Sequence, residues 1–164
     1  MTKISLILIF LLIYFSSYTQ DKKTLRLYNL GHYCDCIKRT NNLPSKSKTP
    51  DVLYLLASSY YQLSIAPDNE CKIKDPLNKC LNTLLKIKKI KTGVSVQGFA
   101  VLCSNAISYG IQKYHENMAR SNWDAAIAMI EHLKKIETNS TLLIDQAICE
   151  YGLSKTTALE TACL

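Results

Sequence analysis

A chain of 164 residues is long enough for one domain with a sizeable core. Its ten Tyr stand against only five Gly and four Pro, and alternating apolar-polar runs are few, which argues against a sandwich or barrel and for an all-α fold. The formal charge of +7 comes mainly from scattered lysines, with Arg26, Arg39 and Arg120 the only arginines, so the dense arginine-and-aromatic footprint of a nucleic-acid binder is missing.

Residues 1–19 read as an export signal: Lys3 supplies the positive start, Ile4 to Phe15 the apolar run, and Ser16 to Gln20 a small, polar exit. Cleavage after Thr19 puts Ser17 at the −3 position. The run falls short of the roughly 20 apolar residues a membrane span needs, so removal is favoured over anchoring. Lys3 is the only charge lost, which takes +7 to +6. The expected protein is therefore exported to the periplasm, the cell envelope or the medium, with no stable membrane span, a helical domain over 20–154 and a frayed tail over 155–164.

In the segment 20–30, Leu25, Leu27, Tyr28 and Leu30 predict a short first helix stopped by Gly31. A second helix follows from Tyr33 to Leu43 and closes at Pro44. Thr49-Pro50-Asp51 is a strong start signal, with a capping hydroxyl, Pro at the first helical position and an acid at the positive helix end. That third helix runs to about Ser64. Ile65 to Lys74 reads as an inserted surface loop, after which Asp75-Pro76 starts a fourth helix that ends in lysines and stops at Gly93. A long, less regular helix covers about Ser95 to Asn117, where Gly110 marks either a close helix contact or a break. Ser121-x-x-Asp124 resembles a capping box for the next helix, and a final helix spans Ser140 to Leu153.

One rhythm recurs through these elements. Trp123, Ala126, Ile127, Ile130 and Leu133 fall at offsets 0, 3, 4, 7 and 10, which draws one apolar stripe along a helix. Leu77, Cys80, Leu81, Leu84 and Ile87 repeat it, and so do Leu53, Leu56, Ala57, Tyr60 and Leu63. Tyr33, Cys36, Ile37, Thr40 and Leu43 follow with one polar exception. A small residue at offset 3, Cys36, Cys80 or Ala126, lets a neighbouring helix come close.

Gly31-His32-Tyr33-Cys34-Asp35-Cys36-Ile37 resembles the turn and second helix of a tetratricopeptide repeat, with Cys36 in place of Ala. Asn122-Trp123-Asp124-Ala125-Ala126-Ile127 is similar to the same stretch, and Leu53-x-x-Leu56-Ala57-x-x-Tyr60 to the repeat's first helix. The spacings depart from the family: Tyr33 to Leu77 is 44 residues and Leu77 to Trp123 is 46, against about 34. A HEAT-type pairing fits that period, so both arrangements stay open. The resemblance implies antiparallel hairpins stacked as a short right-handed solenoid whose concave face binds a protein or peptide. Its outer ends need capping, which leaves a fragment-like module, a subunit that caps itself on a partner, or a dimer. It also implies that the first helices of the hairpins line the concave side. Tyr54, Tyr61, Tyr109 and Tyr114 are then the candidate partner-binding residues, and Tyr60 a core residue.

Chemistry at a catalytic or metal site finds little support. His115-Glu116 begins like a helical zinc motif, but Ala119 stands where the second His is needed. No metal, no cofactor and no catalytic residue is expected. All seven cysteines lie beyond the leader, an odd number. Cys36 and Cys80 read as packing residues. Cys34 and Cys36 point to different sides of a helix, so Cys71 and Cys80 make the better pair, although unpaired thiols suit the stripe position of Cys80 more. The sequence thus favours an exported, non-catalytic interaction module. The alternatives are an accessory N-terminal part of a larger cell-envelope protein or enzyme, or a small hydrolase pairing Cys103 or Cys149 with His115 or His132.

Overall fold

The structure, a computed structural model, describes residues 22–67, 71–90, 95–137 and 140–162. The expected leader at residues 1–19 and the expected stop at Gly93 lie outside them. The described residues form an all-α fold without strands: α1 (22–29), α2 (Tyr33–Asn42), α3 (Pro50–Ile65), α4 (Pro76–Lys89), α5 (Phe99–Ala119), α6 (Trp123–Ile136) and α7 (Ser140–Ala162).

The turn between α1 and α2 follows from Gly31. Its φ of 75° lets the amide of Gly31 bond to Tyr28 O at 2.9 Å and that of His32 to Leu27 O at 3.0 Å, which satisfies the last carbonyls of α1. The same device recurs between α5 and α6. There Ser121 takes the left-handed conformation at φ 57°, its amide bonds to Met118 O, and Asn122 bonds to Asn117 O, both at 2.9 Å. In each case an aromatic residue, Tyr33 or Trp123, opens the next helix. Ser121 therefore belongs to the turn that ends α5, just past its C-cap Arg120. The expected capping box is corrected: the N-cap of α6 is Asn122, and its side chain makes no capping bond.

Thr49 caps α3 as expected, its hydroxyl accepting from Val52 N at 3.4 Å with Pro50 at the first position. The other proline start differs, because Asp75 adopts φ 49° and its carboxylate caps nothing. Gly98 precedes α5 at its N-cap, and α5 runs unbroken through Gly110. A Cβ at Gly110 would lie 2.8 Å from Leu133 Cδ2, so of the two readings of this glycine the close contact with α6 is correct. The expected end of the last helix at Leu153 is also superseded, since α7 continues to Ala162.

The stripes face inward. Every member of the Leu77 and Leu53 series is buried, as are Ala126, Ile130 and Leu133, while Trp123 and Ile127 are half-buried. Thr40, the polar exception, is buried and donates to Cys36 O at 2.8 Å, which removes the cost of an orphan hydroxyl. Each fully buried Leu or Ile contributes about 1.5–3 kcal/mol relative to exposure.

Helix α3 exceeds its stripe. Val52, Leu55, Ser58 and Ser59 are buried as well, because α3 is covered on more than one side. Tyr28 of α1 lies beside Ser58 and Gln62, and Cys36 of α2 beside Ser59. From α2 to α7 each helix packs on the next in sequence, and α3 also packs on α5 and α4 on α6. Lys88 of α4 joins the last pair by donating to Ile136 O at the end of α6, 2.8 Å away.

Candidate interaction face

The four tyrosines named from the sequence separate into three settings. Tyr61 of α3 and Tyr109 of α5 meet edge to face, with ring centroids 6.3 Å apart, and both are half-buried. The Tyr109 hydroxyl donates to Ser64 O at 3.0 Å, which fastens α5 to the last turn of α3. Lys113, one turn along α5, holds its ammonium 5.2 Å from the Tyr109 ring and 2.8 Å from the Glu116 carboxylate. The hydrogen bond from Lys113, and that from Gln112, lowers the Glu116 pKa below the usual carboxylate range.

A cavity of about 220 Å3 adjoins Tyr109, lined also by Ser64, Leu77, Asn78, Lys113 and Asn117 among others. Asn78 Oδ1 is buried beside it without a hydrogen-bond partner. The side chains of Ser64, Asn78 and Lys113 were not singled out from the sequence. Lys113 alone had a legible signal, its offset of four from Tyr109 on one helix face.

Tyr54 sits elsewhere, half-buried near the start of α3. Its hydroxyl would lie 2.6 Å from a Cβ at Gly98, and it borders a separate cavity of about 400 Å3 with Leu25, Val52, Leu55 and Val96. Tyr114 is in the core, 2% exposed, and donates to Asp145 Oδ2 of α7 at 2.6 Å. Its expected place on a partner-binding face is corrected. Phe99, Leu102, Ala106, Gly110 and Tyr114 form the buried stripe of α5, and Tyr114 continues it. Burial, and then the bond to Asp145, drives the Tyr114 pKa above its ordinary value.

The disulfide also departs from expectation: Cys34 is bonded to Cys71, with Cα atoms 5.8 Å apart. Cys36 and Cys80 face the core with no exposure, and burial pushes the Cys80 thiol up to about 12. Cys34, two positions from Cys36 and partly exposed, points instead toward the loop that carries Cys71. The bridge ties that loop to α2 and borders a cavity of about 390 Å3 with Lys38, Lys72 and Lys79 around it.

Compared with protein families, curated proteins and solved structures, the chain matches none. Among the described residues no helix is long and apolar enough to cross a membrane, and no three His, Cys, Asp or Glu side chains gather as metal ligands. The Cys103 and Cys149 thiols are both pushed up by burial, opposite to the shift a nucleophilic thiolate needs. His132 is lowered by burial and then by Lys135, and its Nδ1 has no partner.

Proposed function

We propose that this chain is an exported, non-catalytic helical-repeat module, tetratricopeptide-like in its serial hairpins, that grips a protein or peptide segment along the seam between α3 and α5. The observation that carries the reading is the half-buried Tyr61–Tyr109 pair across that seam. Two phenol rings in edge contact offer a large, rigid, amphipathic surface at low entropic cost. Lys113 adds a cation, and the unpartnered Asn78 carbonyl an acceptor, beside a cavity that takes a small side chain.

The repeat reading is supported by the matching turns at Gly31 and Ser121 and by packing of α3 on α5 and α4 on α6. The hydrolase alternative is disfavoured by the raised Cys103 and Cys149 pKa values. The test is capture from a cell-envelope extract with the folded chain as bait, alongside Tyr61→Ala. The expected result is a specific partner whose recovery falls about tenfold with the variant, a loss typical of one anchoring aromatic. Equal recovery by both baits, or no capture by the folded chain, overturns the proposal.

A further inference from the structure

The Cys34–Cys71 bridge gathers lysines that are remote in sequence. Lys38 lies one turn along α2 from Cys34, Lys72 follows Cys71 directly, and Lys79 stands near the start of α4. All three are exposed and line the cavity of about 390 Å3 that the bridge borders, and no acid lines it. Among the described residues Lys72 and Lys79 make no ion pair, while Lys38 meets Asp35 alone, 3.8 Å away with both side chains well exposed. A pair that exposed offsets little charge, so the cavity keeps a positive field.

A buried donor completes the wall. Tyr60 of α3 is 7% exposed and borders the same cavity, and its hydroxyl accepts from Asn41 Nδ2 at 3.4 Å. A phenol both donates and accepts, so the Tyr60 proton remains for an acceptor in the cavity. The cations are all lysines, which act as point charges and suit an oxyanion approached from several sides. A planar carboxylate is better matched by the fork of an arginine, and no arginine lines this cavity.

We propose that this cavity binds a tetrahedral oxyanion, a phosphate or sulfate group that is free or carried on a small molecule. Cations from α2, from the loop and from α4 can meet different oxygens of such a group at once, with the Tyr60 hydroxyl as a neutral donor. The bridge fixes the loop to α2, so Lys38 and Lys72 are placed before the ligand arrives and less ordering is needed on binding. The volume falls within the range of small-molecule sites and exceeds what a bare ion needs. The cavity shares no residue with the one beside Tyr109, so the oxyanion site is independent of the seam between α3 and α5.

Heteronuclear NMR titration of the folded chain with inorganic phosphate, sulfate, glucose 6-phosphate and succinate tests the site. The expected result is saturable shifts of the Lys38, Asn41, Lys72 and Lys79 amides with phosphate, at a dissociation constant of about 0.1–1 mM because exposed cation contacts are individually weak. Succinate, a dianion without the tetrahedral group, binds about tenfold more weakly. Tighter binding of glucose 6-phosphate than of inorganic phosphate assigns the site to a group carried on a small molecule, and weaker binding assigns it to the free ion. Lys72→Gln/Lys79→Gln weakens phosphate binding about tenfold, whereas Lys86→Gln/Lys89→Gln, which removes two exposed lysines of α4 outside the cavity, changes it by less than about twofold. Equal loss in the two double variants, or equal binding of succinate, overturns the proposal. So does the absence of saturable binding, whether the cavity takes no oxyanion or a carboxylate of Asp68 or Glu70, just upstream of Cys71, fills it.

Discussion

Tyr114 shows how one side chain can be misplaced by its residue type. Tyr is common at binding surfaces, yet here the ring fills the α5 stripe and only the hydroxyl needs a polar partner, which Asp145 provides at 2.6 Å. Tyr114→Phe is expected to lower stability by about 1–2 kcal/mol, read by urea unfolding, because a bond to a charged acceptor is lost while the ring still packs. The loss should shrink in a Tyr114→Phe/Asp145→Asn double variant if the pair accounts for it. His132 supplies a pH effect of opposite origin. Its folded pKa lies below the ordinary 6.5, so the unfolded chain takes up the proton first as pH falls. Stability should therefore hold above pH 6.5 and decline below it, down to the lowered folded value. Melting temperatures followed from pH 7.5 to 5.5 should fall less in His132→Leu than in the wild-type chain.

At the scale of elements, the stripes at Leu53, Leu77 and Trp123 were legible because their period alone dictates a buried face. The Pro and Thr signal at Thr49 was legible for the same local reason. The α5 stripe was not, since its interval of four between Leu102, Ala106, Gly110 and Tyr114 skips the usual three. Nor was the Ser121 turn, where a non-glycine residue takes a positive φ and a capping motif matched by chance. The disulfide depended on where a loop lies in space, which spacing does not encode. Two outcomes follow at this scale. Gly152→Ala puts a Cβ 2.7 Å from the Trp123 ring, so overpacking between α6 and α7 should cost about 1–3 kcal/mol in chemical denaturation. Cys34→Ser opens a bridge that closes a separation of 37 residues, and by loop-closure entropy the folded state should lose roughly 3–4 kcal/mol, with a similar loss when the wild-type chain is reduced.

For the whole molecule, the order of packing matters more than any one helix. From α2 to α7 each helix meets its neighbour in sequence, α3 also meets α5 and α4 meets α6, and the closest packing is between α3 and α4 and between α5 and α6. The face between α3 and α5 carries the tyrosine pair, and that pair was half legible: Tyr61 and Tyr109 could be named from their helices, but their mutual contact and the Ser64 bond needed the fold. The most direct measurement is calorimetric titration of the captured partner segment into the wild-type chain, Tyr61→Ala and Ile144→Glu. The account predicts a roughly tenfold weaker affinity for Tyr61→Ala and an unchanged one for Ile144→Glu. Unchanged binding by Tyr61→Ala together with loss in Ile144→Glu would place the partner on α7 and contradict it.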